Sequence, residues 1–499
     1  MKVVLVHLKE NFTPVPPAGI LYIGTILKKD GHKVWVFDEN IKDSKCLLQK
    51  IKEIDPDLVG FSAMTTSYTI TRKFNEQLKK AIPLAYYCWG GVHASALPME
   101  TIEENKLDFL VYGEGELTMV DVCKVIKGKK TNAGERGVDL KGILGVYYVS
   151  ENKIVKNHAR PLIEDLDSIP IPDRSLLENF GWYLSPPGIL RGKFYSGITT
   201  ICTTRGCPYQ CLFCASKIVH GEYLRKRSVQ NVIKEIEYLK KVFGVTGVYF
   251  NDDTFATDDA WLKELHDSIK RKRLNIVWGC QTRANIAQNI DTLKIMKDAG
   301  CVQVDIGCES GSDKILNNLR KGISKKMILE SFKNLKNLKM ETFATFIVGN
   351  PGETMEDIRQ TKEVAKMAPG TVSFLILVPY PGSPLYKMAL SHNWFVNGNI
   401  VFDERWTNKQ FDIPVMQASF KAEELVKIRA FLQNKFFWKN SLPIIRAFFR
   451  SPFSLWKVVT TLICHPFFVC KSFIKAIKKR KSMDFLEDMY QKYYEGLRK

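Results

Sequence analysis

Cys207, Cys211 and Cys214 have the spacing C-x3-C-x2-C, inside the stretch Cys202-Thr203-Thr204-Arg205-Gly206-Cys207-Pro208-Tyr209-Gln210-Cys211-Leu212-Phe213-Cys214. Three thiolates within eight residues can grip three corners of a [4Fe–4S] cube, which ordinarily takes four cysteines. A trio leaves one iron open to an outside ligand, and that points to catalysis rather than electron storage. A structural zinc site would want a fourth Cys or His at matching distance, and none is evident. Gly206 and Pro208 suit a loop wrapped around a cluster. Cys202 reads as the end of a strand built from the β-branched run Ile198-Thr199-Thr200-Ile201.

Elements that would position those thiols follow from the apolar periodicity. From about residue 193, short apolar runs alternate with amphipathic stretches, predicting strands over 197–203, 247–251, 275–281, 302–307, 341–348 and 371–378. Helices are expected over 229–242, 258–270, 290–299, 325–338 and 355–366. Six such units make a partial barrel, in which chemistry sits on the loops after the strands. The cysteine loop follows the first strand. Asn251-Asp252-Asp253 ends the second and offers acceptors for an ammonium group. Arg283 ends the third, where a guanidinium can pair a carboxylate bidentately. Gly307-Cys308-Glu309-Ser310-Gly311 ends the fourth, with carboxylate and hydroxyl suited to ribose. Gly349-Asn350-Pro351-Gly352-Glu353-Thr354 ends the fifth, where backbone could pass along a purine, although Glu353 reads more simply as a helix start. Pro379-Tyr380-Pro381-Gly382-Ser383 ends the sixth.

The first 140 residues show a second alternation. Strands are expected over 2–7, 33–38, 57–62, 85–89 and 109–112, with helices over 18–29, 46–54, 68–80, 98–104 and 116–127. Ligands of such parallel sheets bind outside the carboxyl ends of the strands. The loops there are Ser62-Ala63-Met64-Thr65-Thr66-Ser67, Gly90-Gly91-Val92-His93 and Tyr112-Gly113-Glu114-Gly115-Glu116. Paired glycines let a large flat ligand approach the backbone closely. No G-x-G-x-x-G follows the first strand, which disfavours a dinucleotide. A hairpin is expected over 141–155, and the two prolines in 166–173 mark a linker.

The chain has 499 residues and a net charge of +20, long enough for two or three domains. Its twelve cysteines, in a sequence that begins directly with a strand and shows no leader pattern, point to a reducing compartment. Residues 431–499 hold fourteen Lys and Arg against four Asp and Glu, half of the surplus. There an apolar stretch over 455–477 leads into Lys475-Ala476-Ile477-Lys478-Lys479-Arg480-Lys481. Interruptions by Lys457, His465, Pro466 and Lys471 argue against a membrane span. Two readings stay open: a helix lying on an anionic membrane, or a helical cap with a solvated basic tail.

The first half, over about 1–122, resembles the cobalamin-binding domain found in front of many radical S-adenosylmethionine (SAM) enzymes. The resemblance rests on Pro16-Pro17-Ala18-Gly19-Ile20-Leu21-Tyr22, Gly31-His32-Lys33-Val34, Gly90-Gly91-Val92-His93-Ala94 and Gly113-Glu114-Gly115-Glu116. It implies cobalamin held by Ser62, Thr65, Gly90, Gly91, Val92, His93, Gly113 and Glu114. The D-x-H-x-x-G signature that brings a histidine to cobalt is absent, so His93 is expected at the ligand's edge. Residues 193–386 resemble the radical SAM superfamily through the cysteine motif, Phe213, Glu309-Ser310 and the G-x-P-G-E-T-like segment at Gly349. Asp252-Asp253 stands where Gly-Gly-Glu is commoner. The resemblance implies a [4Fe–4S] cluster on Cys207, Cys211 and Cys214, with SAM held by Phe213, Asp252, Asp253, Arg283, Glu309, Ser310 and Gly349.

The expected organisation is α/β: a Rossmann-like cobalamin-binding domain (1–140), a hairpin and linker (141–192), a partial (β/α)6 radical SAM barrel (193–415) and an α-helical basic C-terminal region (416–499). The implied activity is reductive cleavage of SAM to a 5′-deoxyadenosyl radical, for methyl transfer from methylcobalamin to an unactivated carbon. The alternative is cobalamin redox chemistry such as that of the anaerobic magnesium-protoporphyrin ester cyclases. A tRNA methylthiotransferase-like modifier is disfavoured, because Cys46, Cys88 and Cys123 lack a second cluster spacing. A non-catalytic cluster or cobalamin sensor is a further class. Expected partners are a small-molecule or lipid-like substrate, an external electron donor such as flavodoxin or ferredoxin, no nucleic acid, and peripheral membrane contact through the C-terminus of a cytoplasmic protein.

Overall fold

The computed structural model describes residues 1–9, 15–40, 44–127, 138–184, 190, 197–396, 398, 400–406 and 413–441. The apolar stretch 455–477 and the basic run 475–481 lie outside the described residues. Two compact units interleave along the chain: Met1–Phe180 with Thr204–Arg227 and Val378–Val415, and Gly181–Thr203 with Ser228–Leu377 and Met416–Lys499.

The first unit is built on a seven-stranded sheet of order β2-β1-β3-β4-β5-β6-β7, with β1 Lys2–Lys9, β2 Lys33–Asn40, β3 Leu58–Ser62, β4 Tyr86–Gly90, β5 Phe109–Val111, β6 Val146–Ser150 and β7 Lys153–Lys156. Strands β1 to β5 are parallel, in the register Val3↔Val34 and Val3↔Leu58. The expected hairpin forms, and β6 pairs antiparallel with β5 (Leu110↔Tyr147), so it extends the sheet. Helices cover both faces, which explains why the parallel strands read as nearly unbroken apolar runs. Val4, Val6, Leu8, Val59, Phe61, Phe74 and Trp89 share one core, and full burial of each such side chain contributes about 1.5–3 kcal/mol. The proline-rich 166–173 segment is pinned to helix Ala18–Lys29: Lys28 pairs with Asp173 at 2.7 Å, and the Asp173 N–H donates to Thr25 Oγ1.

Also in this unit, the cysteine loop is closed at its neck by β9 Thr204–Arg205 and β10 Arg225–Lys226, an antiparallel pair. Gly206 turns the chain just inside the neck at φ +86°, and a Cβ there would overlap the Tyr223 carbonyl oxygen. Only glycine fits both demands. Helix Lys217–His220 ends the loop, and the Leu385 N–H donates to the Leu212 carbonyl at 2.9 Å.

The second unit carries β8 Ile198–Ile201, β11 Gly247–Phe250, β12 Val277–Thr282, β13 Cys301–Glu309, β14 Phe343–Val348 and β15 Thr371–Ile376. They form one parallel sheet in the order β15-β14-β13-β12-β11-β8, six strands of a partial barrel. The crossover helices begin where side chains can cap them. Ser228 accepts from Asn231 N–H, Asp258 from Ala260 and Trp261 N–H, and Thr354 with Asp357 makes a capping box. Helix Ala422–Lys435 follows. Among the described residues no helix is long and apolar enough to cross a membrane.

Candidate cofactor site

Two groups among the described cysteines differ in their surroundings. Cys88, Cys280 and Cys308 are buried, and loss of water around them pushes their thiols well up; Cys123 is pushed up to about 12. Thiols held neutral in this way are inert packing groups. Cys207 and Cys214 are half-buried and Cys211 is buried, all on the irregular loop above the β9–β10 neck. Cys214 Sγ lies 3.2 Å from Ser216 Oγ. Among the described residues no three His, Cys, Asp or Glu side chains meet closely enough for a single metal ion. Three thiols from one loop are the donor type that a [4Fe–4S] cube takes, one at each of three separate irons. Phe213 is half-buried between the second and third cysteines.

At the carboxyl ends of β3 and β4, Ser62, Thr65, Gly90, Gly91, Val92 and His93 come together. The Ala63 N–H donates to Gly90 O and the His93 N–H to Ala63 O. Gly91, at φ +94°, brings these loops so close that a Cβ would stand 2.9 Å from Ala63 O. Gly113 ends β5 at φ +75° with nothing within 4 Å of an added Cβ, and its N–H donates to Ser95 Oγ. The surface is therefore backbone and small residues, which a flat macrocycle can approach. His93 is buried among these loops. It is 1% exposed, its ring 4.3 Å from Tyr68 and 4.9 Å from Phe402, with Nδ1 3.1 Å from Thr65 Oγ1. Burial lowers its pKa to about 3. It packs as a neutral aromatic ring against Tyr68 and Phe402.

Glu114 is engaged elsewhere. It accepts from both terminal nitrogens of Arg225 at 2.9 Å, from Arg205 at 3.1 Å and from the Ile163 N–H at 2.8 Å, while Arg205 also reaches Glu116 at 2.6 Å. Burial alone would raise its pKa. Hydrogen bonds from His220, Arg225 and Ile163 and the Arg205 charge outweigh that and hold the carboxyl well below the usual range. Of these donors the Arg225 fork is tighter than His220, which is 3.5 Å away.

In the second unit the acidic strand ends are also tied. Asp252 accepts from the Thr203 N–H at 2.6 Å and from the Thr203 hydroxyl, while Asp253 is exposed. Glu309 stands at φ +60° beside a register shift between Gly307 and Glu309, and accepts from Lys321 Nζ at 2.7 Å. Arg283 donates to Asn285 Oδ1 and to the Lys321 carbonyl. Ser310 is fully buried, its Oγ between Thr361 Oγ1 and the Ser312 N–H, so its hydroxyl serves the turn. Gly349, at φ +88°, donates its N–H to Glu353 at 2.7 Å.

Sequence reasoning missed Arg205, Arg225, Thr203 and Lys321, whose roles depend on partners distant in the chain. It also missed His7, Lys9 and Asp38 at the carboxyl ends of β1 and β2, where Asp38 accepts from His7 Nδ1 at 2.8 Å and from Lys9 at 2.5 Å. The alternation of β1 does place His7 and Lys9 on one face, which was the available signal.

Residues 201–365 match the Radical SAM superfamily and residues 4–123 the B12 binding domain. The uncharacterized methyltransferase PH0819 of Pyrococcus horikoshii is 31% identical over 428 residues, spanning 83% of this chain and 86% of that protein. Anaerobic magnesium-protoporphyrin IX monomethyl ester cyclase of Cereibacter sphaeroides is 27% identical over 380 residues, 74% of this chain and 60% of the cyclase. The solved structure of the cobalamin-dependent S-adenosylmethionine radical enzyme OxsB, with aqua-cobalamin and SAM bound, matches with a TM-score of 0.70 at 18% identity. That match covers 99% of this chain and 75% of OxsB, a likeness of fold.

Proposed function

The chain belongs to the radical SAM superfamily, with a B12-binding domain ahead of its radical SAM region, and we propose that it transfers a methyl group to an unactivated carbon of a small-molecule substrate. The observation that carries this reading is the grouping of Thr204–Arg227 with the N-terminal sheet. The three thiols and the glycine-lined strand ends thereby belong to one compact unit. When bound, the cluster and SAM supply a 5′-deoxyadenosyl radical that takes hydrogen from substrate, and cobalamin supplies the methyl group. Net, a substrate C–H, two SAM and two electrons from an external donor give C–CH3, 5′-deoxyadenosine, methionine and S-adenosylhomocysteine.

Cys207, Cys211 and Cys214 would each hold one iron. Ser62, Thr65, Gly90, Gly91, Val92 and Gly113 would line the cobalamin surface, with His93 supporting it from beneath. Asp253 and Arg283 would face the charged end of SAM, with Asp252 holding the first two strand ends together, and Glu309, Gly349 and Phe213 would border the nucleoside. Cyclisation is the weaker alternative, since the cyclase is matched over 60% of its length against 86% for the methyltransferase. The test is anaerobic reconstitution with iron, sulfide and methylcobalamin, then SAM and reductant. The expected result is 5′-deoxyadenosine and one corrinoid per chain. Cys211→Ala should lose the cluster absorbance and all deoxyadenosine while keeping the corrinoid. A wild-type chain that binds iron yet leaves SAM intact would instead be a sensor.

Membrane contact is a separate part of the proposal. Lys427, Phe431, Lys435 and Trp438 recur every three or four residues on exposed positions, with Phe431 60% and Trp438 67% exposed. Residues 442–499, which follow directly, hold twelve Lys and Arg against four Asp and Glu. Interleaved lysine and aromatic side chains suit the interface of an anionic bilayer. The full chain should sediment with phosphatidylglycerol-containing vesicles and not with phosphatidylcholine alone, and Phe431→Ser with Trp438→Ser should weaken this about tenfold. Unchanged sedimentation of the double variant would remove this surface from consideration.

A further inference from the structure

Arg205 and Arg225 are cross-strand partners at the neck of the cysteine loop. Side by side and nearly buried, two guanidinium groups repel and would open the neck. What holds them is the loop after β5. Glu114, with its side chain 3% exposed, takes the Arg225 fork on both oxygens and Arg205 on one. Glu116, two residues on, takes the second nitrogen of Arg205, and the Arg205 guanidinium lies 5.1 Å from the Tyr22 ring centre. Arg225 also donates to the carbonyls of Ile163 and His220, at 2.8 Å each. Two acids thus face two guanidinium groups, with the buried Arg225 Nε left without a hydrogen-bond partner among the described residues. One member sits one residue after Gly113, which borders the cobalamin surface, and another sits two residues before Cys207.

We propose that Glu114 is a positioning residue: through Arg205 and Arg225 it sets the placement of the cysteine loop relative to the cobalamin-binding strand ends. The inference rests on the two-cofactor reading above. A bidentate guanidinium–carboxylate pair fixes orientation as well as distance, which a single lysine contact would not. The chain therefore uses the acid of Gly113-Glu114-Gly115-Glu116 to align the two cofactor-bearing segments.

The test needs no substrate. Holoenzyme carrying cluster and cobalamin is reduced until cob(II)alamin and [4Fe–4S]+ coexist, and pulsed dipolar EPR measures the distance between the two spins. Wild type should give one narrow distribution. Arg205→Gln leaves the Glu114–Arg225 fork, and Glu114→Asp keeps the charge but shortens its reach. Each should retain iron and corrinoid while the distribution broadens at least about twofold, the consequence of a supporting shell loosened by about 1 Å. Glu116→Gln should broaden it less. Unchanged widths in both principal variants, with cofactors bound, overturn the inference and leave the two-cofactor reading standing. Failure of wild type to hold either cofactor overturns that reading as well.

Discussion

Glu114 and Glu353 are both glutamates buried in loops that follow parallel strands, and their carboxyl pKa values are pushed in opposite directions. Glu114 meets two guanidinium groups and stays ionised. Glu353 meets only neutral donors, the N–H groups of Gly349 and Asn350 and the Asn350 amide, at 2.7, 3.1 and 2.9 Å. Burial pushes it up to about 7 in spite of them. The difference teaches that charged donors can overcome the burial of a carboxyl where a few neutral donors do not. It also separates two uses of an acid at a strand end, one joining distant segments and one stitching its own turn.

The sharpest way to break that comparison is Glu114→Gln. It leaves the buried Arg225 guanidinium without a carboxylate and Arg205 with Glu116 alone, and removal of one partner of such a set costs about 3–5 kcal/mol. Because the folded carboxyl is held below its ordinary value, its stabilisation is present above about pH 4.5 and fades as pH falls, so the wild-type and variant curves should converge in acid. Urea unfolding at pH 7.5 and at about pH 2 measures both, and a loss below about 1 kcal/mol at pH 7.5 would mean that Glu114 does not neutralise these guanidinium groups.

Gly206→Ala attacks the same neck by sterics alone. The left-handed backbone and the overlap with Tyr223 together should cost about 2–3 kcal/mol, with iron bound per chain falling while corrinoid binding holds. Equal iron in variant and wild type would show that the neck tolerates opening.

The smallest effect is expected at Glu353. Its folded pKa near 7 lies above the ordinary carboxyl value, so the folded chain keeps a proton that the unfolded chain has lost. Stability is then fully present below about pH 4.5 and declines as pH rises through 7. Glu353→Gln, neutral throughout, should flatten this decline and gain about 1 kcal/mol relative to wild type near pH 5. A slope unchanged by the substitution would place the proton elsewhere.

Periodicity disclosed nearly every long element, because parallel strands buried on both faces and amphipathic crossovers leave distinct signatures. Helix Pro98–Glu104 was readable to its last residue. Strands β9 and β10 were not, since two residues carry no period, and their pairing depends on Arg225 meeting Arg205 across twenty residues. The same limit applies to function. Cys207, Cys211 and Cys214 announce themselves by local spacing, whereas Glu114 reads as a ligand-facing acid until a partner 111 residues away is in view. Ser310 is similar: a hydroxyl beside a strand end invites a ribose, and only Thr361 reveals that it closes a turn.

The interleaving of the two units also bears on synthesis. The N-terminal sheet is translated by residue 180, yet the arginines that neutralise Glu114 arrive at 205 and 225, and the last piece of the unit ends at Val415. At roughly 5–20 residues per second, about 12–50 s separate the emergence of the sheet from the completion of its unit. For about the first 2–9 s of that interval, until Arg225 emerges, Glu114 and Glu116 stand as uncompensated charges just after β5. A nascent chain of this kind is exposed to chaperones and proteases until the third segment docks.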